Sequence, residues 1–131
     1  MPHKIKILIV ENEPDTAQTV EMLFRDYGGF DVVTALKGAE GIALAQKERP
    51  DMMLLNLDLP DMSGFRVFRE AKAANPDLMV YIFTGFDDQE FRDKAVALGA
   101  RDYLVKPMPM EQILAKIQEG ALELERKKKG G

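Results

Sequence analysis

Short apolar runs alternate five times with segments of helical periodicity, and this alternation limits the fold more than any other feature. The runs are rich in Ile, Val, Leu and Met, and they predict strands at residues 5–10, 30–35, 51–56, 78–84 and 102–105. Apolar residues at three- and four-residue spacing predict helices at residues 14–27, 38–48, 64–74, 87–99 and from about 109 onwards. In the first helix the expected inward stripe is Ala17, Val20, Phe24 and Tyr27.

Strands that alternate with helices form a parallel sheet, because each helix carries the chain back to the start of the next strand. Five such units predict an α/β fold of three layers, α/β/α, with helices on both faces of the sheet. The count favours a (βα)5 flavodoxin-like, doubly wound five-stranded parallel sheet of order 2-1-3-4-5. In that order the ends of strands one and three lie side by side at the switch point, where such sheets bind ligands.

Length and composition limit the remaining classes of protein. The 131 residues predict one domain at residues 1–124, followed by a charged C-terminal tail or linker start at residues 125–131. A net charge of −4 gives no general attraction for nucleic acid, and no apolar run is long enough to span a membrane. The absence of cysteine excludes thiolate metal sites and suits the cytoplasm.

Polar side chains follow the predicted strands, and a parallel sheet brings them to one edge. These residues are Glu11, Asn12, Asn56, Asp58, Thr84 and Lys106. Carboxylates and carbonyl oxygens are ligands for Mg²⁺, while a lysine and a hydroxyl bind phosphoryl oxygens. The sequence therefore predicts a site for a phosphoryl group together with a hard cation.

Four segments carry a more specific resemblance. "ILIVENEP", "LLNLDLPDMSG", "IFTGF" and "GARDYLVKP" resemble, in order and spacing, the signature segments of the CheY-like receiver domain of bacterial response regulators. The resemblance covers residues 4 to about 124. It implies a signalling module of two-component phosphorelay systems, not an enzyme, whose partners are a sensor histidine kinase and a downstream output protein or domain.

The resemblance also implies roles for individual residues around the metal. Glu11 and Asn12 fall on the family's acidic pair, and Asn56 falls on the aspartate that accepts the phosphoryl group. The family's third metal ligand is a backbone carbonyl two positions beyond the acceptor, which here belongs to Asp58.

Four further residues match the part of the family that responds to phosphorylation. Thr84 and Lys106 fall on the two residues that sense the phosphoryl group, and Tyr103 falls on the switch aromatic. Pro107 falls on a proline that follows a cis peptide bond in the family. Partner contacts in such receivers usually use the fourth helix, fifth strand and fifth helix, here the surface from Phe91 to Leu124, to which Leu122 is expected to contribute.

Two positions depart from the family pattern, and both bear on the chemistry. The amide of Asn56 matches an aspartate in shape, but its oxygen is a poor nucleophile and cannot form an acyl phosphate. Asn12 removes a second carboxylate, so that Glu11 and Lys106 sum to zero charge. We therefore expect weak Mg²⁺ binding and a pseudo-receiver that acts through protein contacts.

The same sequence also admits other readings. Asn56 is also explained by an ordinary phospho-accepting receiver that carries a deliberate Asp→Asn change. "LLNLD" superficially resembles the Asp-x-Asp strand of haloacid-dehalogenase-like phosphatases, but that motif follows their first strand and needs its first aspartate as nucleophile. A flavodoxin shares the sheet order, but "ENEPD" is acidic where a flavin phosphate would bind, so no flavin is expected.

Overall fold

The computed structural model describes residues 4–130, except for the side chains of residues 128–130. Residues 1–3, which include the single histidine His3, and residue 131 lie outside that part. Within it the elements are β1 (Lys6–Val10), α1 (Pro14–Met22) continued by a π-helix (Leu23–Tyr27), β2 (Asp31–Ala35), α2 (Gly38–Glu48), β3 (Met52–Leu55), α3 (Gly64–Ala74), β4 (Met79–Thr84), α4 (Gln89–Ala97), β5 (Asp102–Val105) and α5 (Met110–Gly130). None of the helices described is long and apolar enough to cross a lipid bilayer.

The strands form one parallel sheet in the order β2-β1-β3-β4-β5, which confirms the predicted topology. At the carboxyl edge, Val10 of β1 lies between Ala35 of β2 and Leu55 of β3. Every residue of β3 is buried, as expected for a central strand covered by helices on both faces. The switch point between β1 and β3 therefore lies at the centre of the sheet.

Successive residues of each strand point to opposite faces and build two separate cores. On one face Ile7 and Ile9 pack with Phe24 of the π-helix and Ile117 of α5. On the other face Leu8 and Val10 join residues of α2, α3 and α4, among them Phe68. Each fully buried Ile, Leu or Phe contributes about 2 kcal/mol of transfer free energy, so the strand-end residues are carried by a well-packed scaffold.

The first helix differs from its prediction. Ala17, Val20 and Phe24 are buried, but Tyr27 is 80% exposed, so its predicted place in the inward stripe is wrong. The π-helix Leu23–Tyr27 is the physical reason, since hydrogen bonds that span five residues rotate later side chains away from a stripe of period 3.6. Its neighbour Leu23 packs instead against the core.

The last helix includes most of the charged segment at the end of the chain. α5 runs from Met110 to Gly130, so the helix predicted from about residue 109 continues through residues 125–130. Gly120 allows the helix to lie close to the sheet, because a Cβ atom there would overlap the hydroxyl of Tyr81 in β4. That hydroxyl donates to the Lys116 carbonyl at 3.1 Å, and burial raises the pKa of Tyr81 to about 12.

Candidate functional site

Three strands place buried polar side chains at the carboxyl edge of the sheet. Glu11 follows β1, Asn56 follows β3 and Thr84 ends β4, and they are 2%, 5% and 0% exposed. Backbone bonds continue the sheet beyond two of these strands: Glu11 N–H donates to the Ala35 carbonyl at 3.0 Å, and Asn56 N–H donates to the Val10 carbonyl at 2.9 Å. Because the sheet itself fixes these backbones, their side chains meet in a rigid geometry.

Both carboxylate oxygens of Glu11 are engaged. Oε1 accepts from the Lys106 ammonium at 2.7 Å, in a pair whose side chains are 3% and 20% exposed respectively. Oε2 accepts from the Asn56 side-chain amide at 3.2 Å and from the Glu13 backbone N–H at 3.1 Å. The ammonium also lies 5.0 Å from the centre of the Phe83 ring. The Glu11 carboxylate is thus neutralised inside the protein.

The Asn56 amide uses both its donor and its acceptor. Its nitrogen donates to Glu11 Oε2 and to Asn12 Oδ1, the latter at 2.8 Å. Its oxygen accepts from the backbone N–H of Asp58 at 3.2 Å. A carboxylate in the same place would set an oxygen against Glu11 where the amide now supplies a donor.

The neighbours of the Asn12 amide permit two orientations of that group. In one, Oδ1 faces Asn56 and accepts its amide N–H. In the other, the Asn12 nitrogen donates to Glu11 Oε2 at 3.0 Å and to the Asp58 carbonyl at 3.2 Å. In both orientations an amide N–H contacts the Glu11 carboxylate, where the family resemblance implies a metal ion.

The donor set does not fit a tightly held Mg²⁺ ion. Magnesium prefers oxygen ligands that include one or two free carboxylates, and both oxygens of Glu11 already accept hydrogen bonds. Asp58 has an exposed side chain and so adds no inward carboxylate. Across residues 4–130, no three His, Cys, Asp or Glu side chains form a group able to hold a metal.

The two residues matched to phosphoryl sensing lie near this cluster but make different contacts. Lys106 reaches Glu11, and its backbone N–H donates to the Thr84 carbonyl at 2.8 Å. The Thr84 hydroxyl accepts from the backbone N–H of Phe86 at 3.3 Å, which closes the turn after β4. The peptide bond between Lys106 and Pro107 is cis, as the resemblance implied.

Tyr103 is held from the loop that joins β4 to α4. Its hydroxyl donates to the Phe86 carbonyl at 2.6 Å, and the guanidinium of Arg92 lies 4.9 Å from the ring centre. Arg92 in turn pairs with Asp87 at 2.5 Å. Burial raises the pKa of Tyr103, while the nearby Arg92 guanidinium acts in the opposite direction. Sequence reasoning missed Arg92, because helical periodicity does not say which charged side chain meets a ring on another element.

Asp61 is a second residue whose role the sequence did not reveal. Its carboxylate accepts from the backbone N–H groups of Gly38 and Ala39, at 2.7 and 2.9 Å, and so caps α2 from the loop between β3 and α3. These two backbone bonds lower the pKa of Asp61. At the end of the same loop, a Cβ atom on Gly64 would overlap the backbone carbonyl oxygen of Asn56. The loop that follows Asn56 is therefore held by the hydrogen bonds of Asp61 and by the close packing of Gly64.

Comparison with known proteins agrees with this fold and site. Residues 7–118 match the family model described as "Response regulator receiver domain". Since the match spans most of the chain, the protein belongs to the response regulator receiver domain family and is a module of two-component signalling.

Two individual relatives illustrate the sequence similarity. It is 36% identical over 114 residues to the "Probable transcriptional regulatory protein TcrX" of Mycobacterium tuberculosis, and the aligned part covers 87% of this chain and 48% of that protein. Its identity to the cell cycle transcriptional regulator CtrA of Caulobacter vibrioides is 35% over 113 residues, with 86% and 48% covered. The chain thus spans about half the length of the curated relatives it matches. Both are described as regulators.

Solved structures of receiver domains have the same fold as this chain. A CheY-like receiver domain protein from Methanospirillum hungatei superposes with a TM-score of 0.88 at 26% identity, covering 98% of this chain and 100% of that one. The chemotaxis protein CheY4 of Vibrio cholerae gives 0.83 at 28% identity, with 89% and 98% covered. The similarity extends over nearly the whole sheet and its helices.

Proposed function

We propose that this receiver domain transmits its signal through protein contacts and is not phosphorylated at residue 56. The observation that carries the proposal is the Asn56 amide, which is buried and donates to the Glu11 carboxylate. An amide oxygen does not attack a phosphodonor to form an acyl phosphate, because it is a weak nucleophile. The Lys106–Glu11 pair leaves the edge neutral, so Mg²⁺ binds weakly.

An ordinary phospho-accepting receiver with an engineered Asp→Asn change at 56 is the alternative. Asn12 favours the first proposal, because a change meant only to block phosphorylation needs the acceptor alone. The two proposals predict different outcomes for Asn56→Asp. If only the acceptor had been changed, that single substitution would restore full phosphorylation. If the site has lost its metal ligands too, strong modification requires Asn12→Asp in addition.

Incubation with Mg²⁺ and acetyl phosphate, followed by intact-mass measurement, tests the proposal directly. We expect no added phosphoryl group on the chain as given, and a gain in the Asn56→Asp/Asn12→Asp variant. Robust modification of the unchanged chain at residue 56 would contradict the proposal. A generic phosphatase substrate should not be turned over by any of these proteins, since the haloacid-dehalogenase reading also needs an aspartate nucleophile.

The partner in this proposal is a sensor histidine kinase or an output protein or domain, bound in the cytoplasm by the surface from Phe91 to Leu124. Val96 on α4 is 72% exposed and supplies an apolar contact on that surface. Leu122 is 52% exposed, but it lines a groove with Gly28 and Phe30 at the other edge of α5. Its expected part in the contact with α4 is therefore not supported.

Binding to a purified kinase or output domain tests this surface. Val96→Asp should weaken binding at least tenfold, whereas Met22→Asp, which alters an exposed apolar residue on α1, should not. Equal binding by both variants would exclude the surface as the main contact.

A further inference from the structure

An open cleft lies between the loop that follows β3 and the start of α4. It encloses about 450 Å³ and is lined by Asp58, Leu59, Met62, Phe65, Phe86 and Phe91, among others. Phe86 is 38% exposed, whereas most large apolar side chains of this chain lie in the two cores. An exposed aromatic ring in a cleft is a common feature of protein contacts, because its burial releases apolar surface from water.

Three of the residues that line the cleft are aromatic, and their rings lie side by side. The Phe86 and Phe91 ring centres are 5.4 Å apart with an angle of 46° between the planes. Phe91 and Phe65 are 5.8 Å apart at 48°. The electron-rich faces of such rings attract cations. The protein already uses one of them, since the Lys94 ammonium lies 4.7 Å from the centre of the Phe65 ring.

Two carboxylates line the same cleft, those of Asp58 and Asp61. Asp61 is held by the backbone N–H groups of Gly38 and Ala39. Asp58, within the described part of the chain, pairs with no cation. Charge complementarity therefore points to a positively charged guest with an apolar stem.

We propose that this cleft binds an arginine side chain presented by a partner protein, stacked on Phe86 and Phe91 and ion-paired with Asp58. Arginine fits because its planar guanidinium stacks on rings and forks onto carboxylates, which an ammonium does less well. Leu59 and Met62 offer apolar surface to the residues beside that arginine. The proposal deepens the function proposed above, which requires docking.

The cleft adjoins the candidate site through the backbone. The Asp58 N–H donates to the Asn56 side-chain oxygen at 3.2 Å, and the Phe86 N–H donates to the Thr84 hydroxyl at 3.3 Å. The Phe86 carbonyl accepts from the Tyr103 hydroxyl. A guest that shifts either wall of the cleft therefore acts on residues that also belong to the switch-point edge.

The test is a titration of the isotope-labelled chain with the blocked tripeptide acetyl-Leu-Arg-Leu-amide, followed by amide chemical shifts. The matched probe carries citrulline in place of arginine and so keeps the shape while losing the charge. We expect saturable shifts at Asp58, Leu59, Phe86 and Phe91, and affinity for the citrulline probe lower by about tenfold. Phe86→Ala and Asp58→Asn should each lower the affinity for the arginine probe, while Leu122→Ala should not.

Four results would overturn the proposal. Three concern the titration: shifts that map away from the cleft, equal affinity for the two probes, and unchanged affinity in both Phe86→Ala and Asp58→Asn. The fourth concerns the chain alone: if the cleft amides shift with protein concentration and sedimentation shows a dimer, the guest is a second copy of the chain and the partner proposal is wrong. The titration measures binding to the cleft, whereas the mass measurement detects phosphorylation at Asn56. A negative titration would therefore contradict the cleft proposal without affecting the phosphorylation proposal.

Discussion

Two ion pairs near the carboxyl edge of the sheet use the same chemistry in different surroundings. Glu11 and Lys106 meet at 2.7 Å with side chains that are 3% and 20% exposed, whereas Asp87 and Arg92 meet at 2.5 Å with 61% and 37% exposed. The residues of the first pair directly follow β1 and β5, whereas those of the second lie in a loop and in α4. We call them the inner pair and the outer pair.

The difference shows which part of the edge is rigid and which part is adaptable. Water screens the outer pair, so little free energy depends on its geometry. The inner pair is shielded from water, and loss of one partner would leave a buried charge without compensation. We therefore expect conformational changes to involve the outer pair and Tyr103. The inner pair holds the side chains at the carboxyl edge of the sheet in one arrangement.

The largest loss of stability is expected when one partner of the inner pair is removed. Lys106→Met keeps the unbranched apolar stem of the side chain but leaves the Glu11 carboxylate without a cation. We expect a loss of about 2–4 kcal/mol in the free energy of unfolding, measured with urea. Lys116→Met is the matched control, because that lysine pairs with Asp102 at 3.6 Å and is 47% exposed. Equal losses in the two variants would remove the distinction between a buried and an exposed pair.

The second largest loss of stability is expected when a negative charge is added beside the inner pair. Asn56→Asp replaces a donor 3.2 Å from Glu11 with a second carboxylate, and we expect a loss of about 1–2 kcal/mol in metal-free buffer. Millimolar Mg²⁺ should recover part of this loss in the variant and should not stabilise the parent chain. Gln18→Glu adds the same charge at an exposed position of α1 and should change the melting temperature little. A melting temperature for Asn56→Asp at or above that of the parent would contradict this account.

A smaller effect concerns Asp61, a carboxylate held by backbone N–H groups and not by a cation. Those bonds lower its pKa in the folded state below the ordinary value of an aspartate. Its contribution to stability is therefore fully present above the unfolded value and is lost as pH falls through the folded value. Urea midpoints between pH 6 and pH 2 should fall less steeply in Asp61→Asn than in the parent chain or in Asp77→Asn. Parallel pH profiles would exclude the helix cap as a source of acid sensitivity.

The smallest effect is expected at the outer pair. Arg92→Gln should cost at most about 0.5 kcal/mol, and the difference should vanish at high salt. The same change should raise the pKa of Tyr103 further, because the guanidinium favours the ionised phenol. Titration of the Tyr103 ring by NMR measures this, with Arg66→Gln, which removes a surface pair with Glu70, as the control. An unchanged Tyr103 pKa would show that the stacked guanidinium has no electrostatic effect on the phenol.

The sequence determined the sheet and most of its helices because their signals are local. Strand runs and helical stripes read over about ten residues predicted the order of the sheet. The same topology predicted that Glu11, Asn56 and Thr84 would reach one edge, since parallel strands end together. The exception was Tyr27, where a π-helix changed the period within one turn.

Only the tertiary structure decided which of those side chains touch. Glu11 and Lys106 are 95 residues apart in the sequence, and their contact depends on how four strands, β1, β3, β4 and β5, and their loops pack. The same holds for Arg92 above the Tyr103 ring and for Asp61 on the start of α2. Such contacts depend on distances of a few ångströms between elements that periodicity does not position. Short-range patterns therefore specify the elements of this receiver, and long-range packing specifies the chemistry at its edge.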